Sequence, residues 1–186
     1  IISRLREEQV QVIRELSGEL DVELNERSKV AVVRARGFKL RKCGGKVGVL
    51  CAGTSDMPLA EEVRAVATEM GCDVTMIADV GISAPHRALS AIKRLKEEDV
   101  DVVVVIAGME GALPSFVSSM LDIPVIGVPS PVGYGAGGKG ISALLSMLQS
   151  CSPGLLTVNI GNAVGAAVAA SLIACRVGRY REELKS

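Results

Sequence analysis

The chain has 186 residues, of which 48% are hydrophobic and only 2% aromatic, and its 21 basic side chains balance its 21 acidic ones. This length supports one sizeable core but not two full domains. Without a net charge, a basic stripe or stacking aromatic rings, the chain lacks the features of a nucleic-acid-binding protein.

The first 45 residues predict an amphipathic helix and a linker. Over residues 1–20, apolar side chains recur at helical spacing among charged ones, at Leu5, Val10, Val12, Ile13 and Leu16. Residues 30–33 predict a short strand, and the basic, glycine-rich residues 36–45 predict a linker. We therefore divide the chain into an N-terminal helix with its linker, over 1–45, and a second unit over 46–180.

From residue 46 onward, predicted strands and helices alternate. The strands cover 46–51, 73–78, 101–107, 124–128 and 155–160, and the helices cover 59–70, 85–98, 113–121, 141–150 and 162–177. Five such units predict an α/β fold of three layers, with helices on both faces of a parallel, flavodoxin-like sheet. The apolar stretch 163–177 predicts a buried helix, so neither a membrane span nor a signal peptide is expected.

The loops after the first two strands contain candidate binding residues. In α/β sheets, ligands bind at the carboxyl ends of the strands. The first loop, 52–58, combines small residues with Thr54, Ser55 and Asp56, which is typical of a phosphate cradle at a helix start. Asp56 could instead be a simple helix N-cap. The second loop leads to His86, the only histidine, which is either a proton-transfer group or a solvated side chain.

The loops after the third and fourth strands contain a carboxylate and a glycine-rich stretch. Glu110 lies among small residues directly after a strand with four consecutive valines. It is either a catalytic group or an acid in the first turn of a helix. Residues 133–140 include Lys139 and five glycines, but their spacing differs from that of a Walker A motif. This loop is therefore a mobile lid or a flexible connection.

The five cysteines suggest a reducing, cytoplasmic setting. They are Cys43, Cys51, Cys72, Cys151 and Cys175. Their odd number and the absence of a CxxC pair argue against a metal cluster and a disulfide framework. Cys151 is followed by Pro153 and Gly154, between a predicted helix and a predicted strand. We expect it at the ligand edge of the sheet as a reactive thiol, the alternative being a small buried residue.

Several stretches resemble one known family. "AGTSDMPLAEE", "AGMEGALPSFV", "DIPVIGVPSPVGYG" and "LLSMLQSCSPGLLTVNIGNAVGAA" resemble the LarB family, the carboxylases that open synthesis of the nickel-pincer nucleotide. The match covers roughly residues 25–177. More distantly, "TSD", "LP" and "PVIGVP" resemble the PurE family of aminoimidazole ribonucleotide carboxylases and mutases. In LarB proteins a longer N-terminal domain is usual, so residues 1–45 are expected to be its tail.

The LarB resemblance implies a substrate, nicotinic acid adenine dinucleotide. Its pyridinium ring is carboxylated at C5 and its phosphoanhydride is hydrolysed, which releases AMP. Carbon dioxide or bicarbonate is the co-substrate, no tightly bound cofactor is expected, and a Mg²⁺ requirement is left open. The resemblance also implies a homo-oligomer, an octamer or its dimeric subunit. The binding residues carried over are Gly53, Thr54, Ser55, Asp56, Arg87, Gly108, Met109, Gly111, Ala112, Lys139 and Asn159.

The resemblance assigns the chemistry to Cys151 and Glu110, with His86 as a further acid–base candidate. A pyridinium ring is electron-poor, so a thiolate adding at C4 would create an enamine that is nucleophilic at C5. Glu110 would then remove the C5 proton. Compared with PurE, the chain has one extra residue in the stretch 83–87, which puts the role of His86 in doubt. The alternatives are a PurE-type purine enzyme and a non-catalytic nucleotide-binding module.

Overall fold

A computed structural model describes residues 1 to 184, and it begins with a unit of one helix and one hairpin. Helix α1 (Glu7–Leu16) packs on the antiparallel strands β1 (Asp21–Asn25) and β2 (Val30–Arg34). Their shared core contains Leu5, Val10, Ile13 and Ala31. The sequence predicted the helix and β2 but not β1, although the alternation of Val22 and Leu24 with acidic residues is a strand pattern. The extension is therefore more than a helix and a linker.

A parallel sheet of five strands forms the centre of the chain between residues 46 and 157. Its strands are β3 (Lys46–Cys51), β4 (Asp73–Ile77), β5 (Val102–Ala107), β6 (Val125–Pro129) and β7 (Leu155–Thr157). They are arranged in the order β4-β3-β5-β6-β7. This is the 2-1-3-4-5 order of flavodoxin-like sheets. The predicted fold class is confirmed.

Helices cover both faces of this sheet. They are α2 (Met57–Glu69), α3 (Pro85–Glu97), α4 (Ala112–Ser118), α5 (Ile141–Leu148) and α6 (Ala163–Glu183). Helices α2 and α6 bury their apolar side chains on one face, and α3, α4 and α5 do so on the other. Short 3-10 turns, Thr54–Asp56 and Gly135–Gly140, precede α2 and α5. The valine-rich strands have apolar side chains on both faces of the sheet, so helices must cover both faces. This requirement produces the three layers.

Helix α6 packs one face into the core, although it is long and apolar enough to cross a membrane by length and composition alone. Its alanines form a fully buried stripe, Ala163, Ala166, Ala167, Ala170 and Ala174. These small side chains allow α6 to pack closely against α2 and the sheet. The helix continues to Glu183, beyond the predicted end at residue 177. The apolar pattern ends at Val177, but Gly178 is buried against Cys43 and Arg181 pairs with the buried Asp101, so the last turns still pack on the fold.

The described residues contain a disulfide, although the cysteine pattern argued against a disulfide framework. Cys43 and Cys175 are joined, and Cys72 lies beside them. The two bonded cysteines are separated by 132 residues in the sequence. No local spacing motif could reveal this pair, because only the packing of α6 against the segment before β3 brings them together.

Candidate active site

A cavity of about 690 Å³ lies at the carboxyl edge of the sheet. The loops that follow β3, β4, β5 and β6 form its walls, as the sheet rule predicts. Its lining includes the predicted residues Gly53, Ser55, Asp56, Gly108, Met109, Glu110 and Ala112. This volume lies within the usual range for a small-molecule site.

Two glycines allow the cavity loops to approach each other. A Cβ at Gly108 would lie 2.2 Å from the carbonyl oxygen of Val132, so the loops after β5 and β6 could not meet with any side chain there. A Cβ at Gly81 would lie 2.9 Å from the carbonyl oxygen of Ala52. The shape of the cavity therefore depends on backbone contacts that only glycine permits.

Asp56 is the buried carboxylate of this cavity. Its side chain is only 4% exposed, and its Oδ2 accepts a hydrogen bond of 3.1 Å from the Gly53 amide. Its Oδ1 is buried without a partner. Burial raises the pKa of Asp56, although the nearby Ser130 hydroxyl and the Gly53 amide act in the opposite direction. The side chain makes no capping bond to α2, so a simple helix cap does not describe it.

Glu110 is held at the cavity by a turn with unusual backbone angles. The residues on either side of it, Met109 and Gly111, both have positive φ, at 50° and 65°. For Met109 this conformation is uncommon, and a strained turn at a ligand site is a frequent functional feature. A Cβ at Gly111 would lie 2.7 Å from the Cα of Ala143, so this glycine also sets the contact with α5. The exposed Glu110 carboxylate is free to meet a ligand in the cavity.

His86 and Arg87 are not brought to this cavity. They line a separate cavity of about 380 Å³ together with Asp79 and Arg94. Arg87 forms an ion pair with Asp79. The extra residue before His86 is consistent with this displacement.

Four further predicted binding residues also lie outside the residues that line the larger cavity. They are Thr54, Gly111, Lys139 and Asn159.

Cys151 lies at the opposite edge of the sheet from Glu110. It follows α5, which begins at the carboxyl edge, and it precedes β7, so it is at the amino end of that strand. Ser152 donates a hydrogen bond to the carbonyl oxygen of Ser115, the middle residue of α4, and Ser118 at the end of α4 donates one to the carbonyl oxygen of Pro153. The prediction that Cys151 lies at the ligand edge is wrong, because in a parallel sheet the connection before a strand lies away from the edge where strands end.

The cavity also contains residues that the sequence did not single out. They are Ala52, Gly81, Ile82, Ser83, Ala107, Leu113, Val132, Gly133 and Tyr134. Most of them lie in the loops that follow the strands, where we expected the functional residues. Their position in those loops was the sequence feature that could have identified them. Apart from the phenol of Tyr134, their side chains are small or apolar, and no chemical feature distinguished them from ordinary loop residues.

Comparison with known proteins identifies the family. The family model described as AIR carboxylase matches residues 46–186. The chain belongs to the AIR carboxylase family. In Thermotoga maritima, N5-carboxyaminoimidazole ribonucleotide mutase is 30% identical over 151 residues, which cover 75% of this chain and 85% of that protein. Members of this family are carboxylase and mutase enzymes.

Two other proteins extend this comparison. An uncharacterized protein of Methanocaldococcus jannaschii is 49% identical over 154 residues, which cover 83% of this chain. The matched part spans about three fifths of that relative, 59% of its length. The crystal structure of Treponema denticola PurE has a TM-score of 0.52 at 21% identity, and the match covers 75% of this chain and 92% of that one. This last similarity confirms a PurE-like fold.

Proposed function

We propose that this protein is a LarB-type enzyme that carboxylates the pyridinium ring of nicotinic acid adenine dinucleotide at C5 and hydrolyses its phosphoanhydride, which releases AMP. The observation that carries the proposal is the state of Cys151. It is the exposed member of the three free cysteines, since Cys51 and Cys72 are buried. Burial raises the pKa of Cys51 to about 11, so that thiol stays protonated and unreactive.

The chemistry explains why a carboxylase of this kind requires a thiol. Carbon dioxide needs an electron-rich carbon, and the aminoimidazole ring of the purine pathway already provides one. A pyridinium ring does not, so a thiolate must first add to C4 and convert the ring into an enamine. After C5 attacks carbon dioxide, a base removes the C5 proton and the thiolate leaves. In this proposal that base is Glu110, the exposed carboxylate that lines the cavity.

The cavity residues fit the nucleotide part of such a substrate. The unpartnered Oδ1 of Asp56 can accept a hydrogen bond from a ribose hydroxyl, and this bond would satisfy a buried oxygen. The backbone amides near Ser55, at the start of α2, suit a phosphate. Small residues such as Gly53 and Ala112 leave space for the ring beside Glu110.

In this proposal, a second copy of the chain supplies the thiol. Cys151 and Glu110 lie at opposite edges of one chain, so one subunit alone cannot bring them to the same ring. Beside Cys151, helix α5 exposes an apolar stripe of Ile141, Leu145 and Leu148, which are 51%, 59% and 65% exposed. Their spacing places them on one face of the helix. Self-association through this stripe would bury apolar surface and bring Cys151 near the cavity of a neighbour.

The test is incubation of the protein with nicotinic acid adenine dinucleotide and isotopically labelled bicarbonate, followed by mass spectrometry. We expect a labelled, carboxylated mononucleotide and AMP. The Cys151→Ser variant should bind the dinucleotide but form no carboxylated product, because a serine hydroxyl is hardly ionised at neutral pH. Cys51→Ala, which removes a buried sulfur that does not line the cavity, should keep the activity. Normal carboxylation by Cys151→Ser would refute the cysteine mechanism.

A second candidate is a PurE-type reaction on an aminoimidazole ribonucleotide. The observation that favours it is the similarity to N5-carboxyaminoimidazole ribonucleotide mutases. The two candidates differ in their need for a thiol. Conversion of N5-carboxyaminoimidazole ribonucleotide by both the wild type and Cys151→Ser, with no product from the dinucleotide, would identify the purine reaction.

A further inference from the structure

Three cysteine sulfur atoms meet on the side of the molecule where α6 packs. Sγ of Cys72 lies 3.5 Å from Sγ of Cys175 and 3.8 Å from Sγ of Cys43. All three sulfur atoms lie within 4.8 Å of one another. The proposed reaction uses none of them. The disulfide joins only Cys43 and Cys175, so it does not explain why the sulfur of Cys72 packs against both of them.

Three separate segments of backbone are fitted closely around these sulfur atoms. The Cys43 amide donates a hydrogen bond of 2.9 Å to the Gly71 carbonyl, in the turn before β4. A Cβ at Gly45 would lie 2.3 Å from the carbonyl carbon of Ala174, and a Cβ at Gly178 would lie 2.4 Å from the Cys43 carbonyl oxygen. Glycines at these contacts allow the segment 43–45 to cross α6 at backbone distance.

An ion-pair network around Arg181 stabilises the contact between the segment 43–45 and α6. Arg181 donates a hydrogen bond of 3.0 Å to the carbonyl oxygen of Gly44. The same guanidinium pairs with the buried carboxylate of Asp101, and that carboxylate accepts a bond of 2.7 Å from the Lys46 amide. The position of Cys43 relative to α6 is therefore fixed by interactions that do not involve its sulfur.

We propose that, when the Cys43–Cys175 bond is reduced, Cys43, Cys72 and Cys175 form a three-thiolate site for a zinc ion. Zinc–sulfur bonds of about 2.3 Å in a tetrahedron give sulfur–sulfur edges of about 3.8 Å. The two distances from Cys72 already match such edges. Only the Cys43–Cys175 edge must lengthen, and reduction allows this.

The surroundings suit the charge and the fourth position of such an ion. A cavity of about 310 Å³ opens beside Cys43 and Cys175, and it is also lined by Arg41, Lys42, Arg179 and Glu182. Three thiolates and one Zn²⁺ carry a net charge of −1, which Arg41 and Arg179 can balance, whereas Lys42 pairs with Asp73. Water or the Glu182 carboxylate can reach the fourth position from this cavity.

The two states interconvert with a balanced reaction. Two equivalents of a small thiol, or one dithiol, reduce the Cys43–Cys175 bond to two thiols and are themselves oxidised to a disulfide. The ion then replaces the protons of the three thiols, which pass to the solvent. Reoxidation by a disulfide of the same class closes the bond and releases the ion.

Zinc titration of the reduced, metal-free protein under anaerobic conditions tests this site, with a chromophoric chelator as competitor. We expect one tightly bound Zn²⁺ per chain and, with Co²⁺ as the probe, a sulfur-to-metal charge-transfer band. Cys72→Ser should bind at least about 100-fold more weakly, beyond the effect of typical changes outside the ligands. Cys51→Ala should bind as the wild type does, and every variant retains Cys151, so that thiol contributes equally throughout.

Oxidised protein provides the control for folding. Oxidised Cys72→Ser keeps the Cys43–Cys175 bond, so it should still unfold in one cooperative thermal transition. The oxidised wild type should bind no tight zinc, since two of the three ligands are then joined. The proposal is overturned if the reduced wild type fails to bind, or if Cys72→Ser or the oxidised protein binds zinc as tightly as the reduced wild type.

Discussion

A mixture of two inactive variants should recover activity if neighbouring subunits share the active site. In the proposed reaction, Cys151→Ser lacks the nucleophile and Glu110→Gln lacks the base, so each variant alone should form no carboxylated product. In a mixed oligomer, a Cys151→Ser subunit still provides a native Glu110, and a Glu110→Gln subunit still provides a native Cys151. Some sites therefore contain both groups.

The structure gives the size of the expected effect. Helix α5 has eight residues and separates the two edges by about 12 Å. A thiolate must come within about 3 to 3.5 Å of the ring carbon to react, so one chain cannot supply both groups. Each site draws one residue from each of two independently chosen subunits. In an equal, random mixture about a quarter of the sites are intact, and in a purified mixed dimer one of the two sites is intact. We therefore expect about a quarter to a half of the wild-type activity.

The assay is formation of the carboxylated mononucleotide, measured by mass spectrometry after co-expression of the variants with two different affinity tags. Tandem purification isolates oligomers that contain both chains. Co-expression of the wild type with the Cys151→Ser, Glu110→Gln double variant is the control for an arrangement in which one chain supplies both groups. Every wild-type subunit would then carry an intact site, whereas no subunit would in the mixture of single variants. If the double-variant mixture is active but the mixture of single variants is not, both groups come from one chain and the proposed arrangement is refuted.

Three further predictions concern stability and binding. Burial raises the pKa of Asp56 in the folded protein. As the pH rises above about 3.9, the unfolded chain therefore loses this proton while the folded protein still keeps it. The contribution of Asp56 to the unfolding free energy of the wild type should thus decrease with pH until the folded pKa is passed. Asp56→Asn should lack this fall in denaturant titrations at several pH values; identical profiles would contradict the raised pKa. Gly108→Ala should weaken dinucleotide binding in calorimetry, since its Cβ would meet Val132, whereas Gly138→Ala, in open space, should not. Leu95→Ala, in the core between α3 and the sheet, should lower the unfolding free energy by about 2–5 kcal/mol, and a loss under about 1 kcal/mol would contradict tight packing there.

The sequence determined the sheet and the helices around it. Continuous apolar runs such as 102–107 can satisfy burial on both faces only inside a parallel sheet. The loops after those runs predicted the cavity that contains Asp56 and Glu110, because strand direction alone places them at one edge. The misplacement of Cys151 was an error of reasoning, since the same rule puts a residue before a strand at the opposite edge.

Other features could be decided only by the tertiary structure. The displacement of His86 into its own cavity depends on how α3 begins, and a pattern of residues does not fix the direction of that turn. The meeting of Cys43, Cys72 and Cys175 depends on α6 crossing the chain before β3. Local patterns encode which residues are buried and in which element. Contacts between segments more than a hundred residues apart depend on how the layers pack, which here rests on the fit of Gly45 and Gly178.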